Sequence, residues 1–139
     1  MRRVTLVCTL LLPLLAAGCG DDDPIINTPI TPSPSVTDTF TGTLTRNGAT
    51  SHPFPVSAII GGSVTATLKA VTPDGEAVVG MYLGIWNGTG CSVVVANDRA
   101  VVSTTILGTA TSVGTLCVRI YDIGTLVDPQ DYEIEVVHP

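Results

Sequence analysis

His52 and His138 are the two side chains of this sequence whose ordinary pKa lies near neutrality, so they are the natural candidates for acid–base chemistry. A hydrolytic nucleophile needs a base that a third group holds in place. Neither histidine is accompanied by a Gly-x-Ser-x-Gly elbow. The expectation is a protein with no catalytic activity of its own. Asp122, Asp128 and Asp131 crowd one short stretch, and hard oxygen ligands from one loop suit Ca²⁺. The competing reading is a solvated acidic loop whose turn is shaped by Pro129. Calcium is the one cofactor these residues suggest. Tyr82 and Trp86 fall on one side of an alternating segment, and Tyr121 falls on the outer side of another. Exposed together, the three rings would form a face able to stack on sugar rings or anchor a protein partner. Packed beneath a loop, they would belong to the interior.

The segments that must position these residues have period two throughout, the mark of half-buried strands. Phe40, Gly42 and Leu44 alternate with threonines, and Asn47-Gly48 supplies a turn that tolerates positive φ. His52, Phe54 and Val56 share one face of the returning segment. Pro53 and Pro55 fall between them and cannot donate to a ladder, which predicts an edge strand. Val64, Ala66, Leu68 and Ala70 follow, then Val79, Met81, Leu83 and Ile85 against Gly80, Tyr82, Gly84 and Trp86. Short strands are expected at Cys91–Ala96 and Ala100–Leu107, on either side of Asn97-Asp98. Leu116, Val118 and Ile120 then face one way, with Cys117, Arg119 and Tyr121 facing the other. The last strand turns Tyr132, Ile134 and Val136 inward. Some eight short strands with no helical period predict an all-β antiparallel β-sandwich, with jelly-roll or Greek-key connections.

The N-terminus reads separately. Two arginines precede an apolar run that ends in Leu15-Ala16-Ala17-Gly18-Cys19, a secretory signal with a small-residue cleavage site. The run from Val4 holds about a dozen strongly apolar positions and includes Pro13, whereas a bilayer-spanning helix needs roughly 20. With cysteine directly after the small residues, the stretch resembles the lipobox of bacterial lipoproteins. That resemblance implies acylation of the Cys19 thiol and cleavage before it. Residues 1–18 would then be the signal peptide, 19–37 the lipidated cysteine and its linker, and 38–139 the head. The linker carries Asp21-Asp22-Asp23 and four prolines among Thr and Ser, a coreless composition that favours extended polyproline II. At about 3.1 Å per residue, Gly20 to Thr37 would reach roughly 55 Å. The acidic triplet is either simply solvated or resembles the patches that direct some lipoproteins to the cell surface. Gly20, rather than Asp, beside the lipidated cysteine favours the outer membrane.

Removal of Arg2 and Arg3 with the signal leaves 4 basic and 12 acidic residues, a balance unsuited to nucleic acid. The expected partners are the membrane, through the lipid on Cys19, and an envelope or extracellular polysaccharide or protein. Cys8 leaves with the signal and Cys19 takes the lipid. Cys91 and Cys117 therefore remain as a pair, and in an exported chain they are expected to form one disulfide. Because Cys117 lies opposite the core side of its segment, that bond should tie a loop onto the outer surface of a sheet.

The phrases Thr39-Phe40-Thr41-Gly42-Thr43-Leu44, Phe54-Pro55-Val56, Gly62-Ser63-Val64-Thr65-Ala66-Thr67-Leu68, Gly114–Tyr121 and Asp131–Val136 together resemble the bacterial pre-peptidase C-terminal domain. The resemblance spans about residues 38–137. It implies a non-catalytic β-sandwich of the kind that accompanies secreted hydrolases and in some members binds matrix or substrate. Two roles follow. One is a binding or adhesion module, which an exposed Tyr82, Trp86 and Tyr121 face would favour. The other is a structural or assembly component, or an accessory to a separately encoded hydrolase, which an unprotected edge strand would favour.

Overall fold

Alternation of apolar and polar residues puts one face of each strand against a core, and eight such strands need two facing sheets to bury it. The computed structural model describes residues 34–57 and 61–139. It contains β1 (Val36–Leu44), β2 (Ala49–Val56), β3 (Gly62–Thr72), β4 (Val79–Trp86), β5 (Cys91–Ala100), β6 (Thr105–Ala110), β7 (Gly114–Tyr121) and β8 (Gln130–His138). One sheet has the order β1-β8-β3-β6 and the other β2-β7-β4-β5, with every neighbouring pair antiparallel. The pairs β1 with β8, β2 with β7, β3 with β6 and β4 with β5 nest around the β4–β5 turn, as when one long hairpin is rolled up. This is the jelly-roll arrangement. The protein is an all-β antiparallel β-sandwich.

The inward faces are those the alternation marks except at the end of β3, where an irregularity between Leu68 and Ala70 turns Val71 into the core in place of the expected Ala70. Leu44, Phe54, Leu68, Met81, Ile120 and Ile134 are the largest fully buried side chains, each contributing roughly 1.5–3 kcal/mol by leaving water. Tyr132, Ile134 and Val136 point into the core from β8. The proline-bearing β2 is an edge strand, as its missing donors require.

Two boundaries differ from the expectation. The sheet begins at Val36, which pairs with His138, so Val36 and Thr37 belong to the head rather than the linker. Residues 91–100 form one strand instead of stopping at a turn over Asn97-Asp98. Val79 pairs with Ala100 and Met81 with Asn97, so β5 carries one extra residue there. That bulge absorbs the turn-forming pair, and the Asn97 side chain accepts the Arg99 amide at 2.9 Å. The reversal lies later, at Val101–Thr104, where Ser103 has φ 74°. Residues 1–18, expected to be the signal peptide, and residues 19–33 of the expected linker, Cys19 included, lie outside the described residues.

The sandwich has two unlike ends. At one end lie the start of β1, the ends of β2 and β8, the start of β3 and the connections after β4 and β6. The opposite end carries the Thr45–Gly48 turn, the loops 73–78 and 122–129, and the reversal after β5. Arg46, Asp74, Glu76, Asp98, Arg99, Asp122, Asp128 and Asp131 all belong to this second end.

Candidate functional site

The outer face of the β2-β7-β4-β5 sheet brings together part of the expected aromatic set. Tyr82 on β4 and Tyr121 on β7 lie with ring centroids 5.8 Å apart and planes inclined at 55°. Glycine makes this possible. Gly80 is the neighbour of Tyr121 across the ladder, and a methyl group there would lie 2.2 Å from the tyrosine ring. The Tyr121 ring therefore rests directly on bare backbone. Its hydroxyl donates to the Asp98 carboxylate of β5. Burial, the bond to Asp98, the negative charge of Asp98 and the nearby Tyr82 together push the Tyr121 hydroxyl up to about 12. Tyr82 is fixed differently, since its hydroxyl donates to the Cys91 carbonyl at 2.9 Å. Both rings are thus held at their tips and half-buried.

Trp86 does not complete the strip. It stands on the same side of β4 as Tyr82, but Gly84 lies between them and is covered. An added methyl at Gly84 would meet the Ser92 carbonyl oxygen at 2.2 Å and Cys91 Sγ at 3.1 Å. Cys91 is bonded to Cys117, whose ladder partner is Gly84. The disulfide crosses the outer face, but it ties the start of strand β5 to β7 rather than fastening a loop as expected, and in doing so it divides Tyr82 from Trp86. Cys117 is 0% exposed, buried beneath this crossing rather than in the inter-sheet core.

A shallow recess beside Tyr121 is lined by Val78, Asp98, Arg99, Ile123 and Thr125. Arg119, between Cys117 and Tyr121 on the same face, reaches the Ser51 hydroxyl at 3.5 Å. The recess offers an aromatic ring, one carboxylate and one guanidinium group within one small area. Such a set can stack on a sugar or peptide and hydrogen-bond its edge. No protein-family model and no curated protein matches the chain.

The three aspartates are not gathered around a common point. Among the described residues, no group of three or more His, Cys, Asp or Glu side chains is placed to hold a metal. The Asp122 carboxylate accepts the amides of Gly124, Thr125 and Leu126 at 2.9–3.1 Å and that of Asn47 at 2.8 Å. Burial pushes this carboxyl up, but the four backbone donors outweigh it and hold it below the usual aspartate range. The interaction is complete above that range and is lost as the pH falls through the lowered value. Asp122 therefore fastens the β1–β2 turn to the loop before β8. Asp131 accepts the Thr43 hydroxyl at 2.6 Å across the β1–β8 ladder. Asp128 contributes its backbone carbonyl to the Gln130 side chain at 3.3 Å.

Both histidines are engaged within the sandwich. His52 stacks on Phe40 with centroids 4.9 Å apart, and its Nε2 lies 2.8 Å from the Tyr132 hydroxyl. Burial lowers its pKa and so favours the neutral ring. His138 is 3% exposed, with Nε2 at 3.0 Å from Asp38 Oδ2 and Nδ1 at 3.2 Å from the Pro139 carbonyl. That pair joins the beginning of the head to its end.

Sequence reasoning missed Asp98 as the partner of Tyr121, because the bulge that turns it toward β7 depends on pairing with β4. It also missed Gly80 as the seat of Tyr121. A signal existed, since Gly80 and Gly84 alternate with Tyr82 and Trp86, and small residues on an outer face make room for something lying across it.

Proposed function

We propose that this protein is a non-catalytic envelope lipoprotein whose β-sandwich head binds a polysaccharide or protein through the outer face around Tyr82 and Tyr121. Lipid on Cys19 would hold it to a membrane, the outer one by the residue that follows the cysteine. The observation that carries the binding reading is the fixed tyrosine pair beside Asp98, Arg99 and Arg119. Rings anchored through their hydroxyls lose little entropy on binding, and Tyr and Arg are enriched where binding energy concentrates. The engagement of His52 and His138 in structural contacts supports the non-catalytic part. The resemblance to pre-peptidase C-terminal domains supports an accessory, ligand-binding head.

Envelope polysaccharide extracted from the producing cells provides the test. Tyr121→Ala should weaken its binding to the purified protein at least about thirtyfold, the size of an interface hot spot. Tyr82→Ala should act in the same direction. Unchanged affinity in both folded variants would remove this face from the proposal.

A second reading, a subunit of an envelope assembly, is favoured by β5. It is an edge strand whose Val93 and Val94 are exposed and whose residues 91–97 carry no charge, so few features discourage pairing with another strand. Accessory function beside a separately encoded hydrolase fits either surface.

A further inference from the structure

The end of the sandwich at which the chain enters is uncharged and open. No Asp, Glu, Lys or Arg occurs from Pro53 to Leu68, from Leu83 to Asn97 or from Ala100 to Val118. These stretches supply the end of β2, the start of β3 and the connections after β4 and β6 at this end. Asp38, on the adjoining part of β1, is engaged by His138. Between the two sheets here lies an apolar cavity of about 490 Å³, lined by inward-facing residues such as Val56, Val64, Leu83 and Leu116. Ile85 points inward from β4 yet is 55% exposed, because the sheets leave it uncovered at the mouth. Val94 and Val113, 67% and 66% exposed, and half-buried Trp86 complete the rim.

Location decides what covers this surface. Ser35 lies at the same end, in a small recess with Gly61, Gly62 and Pro139. Cys19 precedes it by only 16 residues. An extended segment of that length spans about 50 Å, so it permits contact with a bilayer and does not enforce it. The charged residues of the opposite end, mostly acidic, would point away from an anionic membrane surface, while the uncharged end could approach without electrostatic cost.

We infer that this end of the head docks on the bilayer that holds Cys19, seating Trp86, Ile85, Val94 and Val113 at the boundary of headgroups and acyl chains. Tryptophan suits that depth because its ring is apolar and its N–H polar. The apolar rim supplies buried area and the lipid on Cys19 supplies proximity, so each weak attachment strengthens the other. The inference rests on the proposal that Cys19 is acylated. Docked this way, the acidic end faces outward and Tyr82 and Tyr121 stay on the side of the sandwich.

Trp86 is the sole tryptophan, which makes it a direct reporter. The full lipidated protein is to be reconstituted into phosphatidylcholine–phosphatidylglycerol vesicles, with and without bromine on the acyl chains. Flotation with the vesicles reports anchoring, and quenching by the brominated lipid reports docking. The expected result is a blue-shifted emission that brominated lipid quenches at least about twofold. Val113→Asp, a change in an exposed connection, should float equally and lose most of the quenching. Protein that fails to float refutes acylation. Protein that floats with unquenched Trp86 overturns docking alone, as does a blue shift that depends only on protein density, which would indicate a second copy on this surface. Equal quenching in Val113→Asp also overturns the assignment of this rim.

Discussion

Replacing Cys117 by serine should destabilise the head by about 3–4 kcal/mol, from the loop-closure entropy of the 26-residue separation. For a domain of this size that corresponds to a fall in Tm of more than about 10 °C. The structure adds a local cost to the entropic one. Cys117 is fully buried under the outer-face crossing, and the bond presses the start of β5 onto Gly84 of β4. Without it, β5 is an edge strand held on one side only, and Tyr82 loses the fixed Cys91 carbonyl to which it donates. Thermal unfolding with and without reductant checks the size of the effect, and thiol titration of the native protein checks the bond. Titration of both Cys91 and Cys117 without reductant would contradict the account, as would a Tm unchanged in Cys117→Ser.

Gly84→Ala should cost about 3 kcal/mol, the upper part of the range for forcing a methyl group into filled space. The obstacle is backbone, since the new carbon would lie 2.2 Å from the Ser92 carbonyl oxygen. Relief requires lifting β5 and straining the crossing beside it. Gly80→Ala is the informative comparison. Its added methyl also comes within 2.2 Å of an atom, but that atom belongs to the Tyr121 ring. A partly exposed side chain can swing away, so the expected loss is nearer 1 kcal/mol. The movement would separate Tyr121 from Asp98, and the hydroxyl, held at about 12, should fall back toward 10 in an ultraviolet titration. Denaturant unfolding of the two variants decides the matter. A Gly84→Ala protein as stable as the parent would contradict the described crossing, and so would a Gly80→Ala protein less stable than Gly84→Ala.

The strands were legible because each inward position carries a residue whose burial is worth more than any local preference. Val64, Ala66 and Leu68, or Tyr132, Ile134 and Val136, declare their face by alternation alone. Edge position could be read for β2 from Pro53 and Pro55, since a missing N–H is a property of the residue itself. The partner of Cys91 was also legible, since reading Cys8 and Cys19 as signal and lipid site leaves Cys117 alone to pair with it. What could not be read depends on contacts distant in sequence. Asn97-Asp98 looks like a turn in isolation, and only pairing with Val79 and Met81 makes it a bulge. Asp122 resembles a cation ligand until the amides from its own loop and from Asn47 are seen to surround it. Trp86 seems to continue the Tyr82 face until the disulfide passes between them. Ile85 fits the inward pattern of its strand, and its exposure follows from the gap between two sheets.

Both the envelope reading and the docking of the uncharged end depend on the thiol of Cys19. Growth of the producing cells with an alkyne-bearing fatty acid, followed by purification of the protein and detection of the label, measures acylation without reference to any ligand. The account predicts strong labelling of the parent, and none of Cys19→Ala, which should accumulate with residues 1–18 still attached. Equal labelling of the two proteins, or a parent that carries no label, would contradict it.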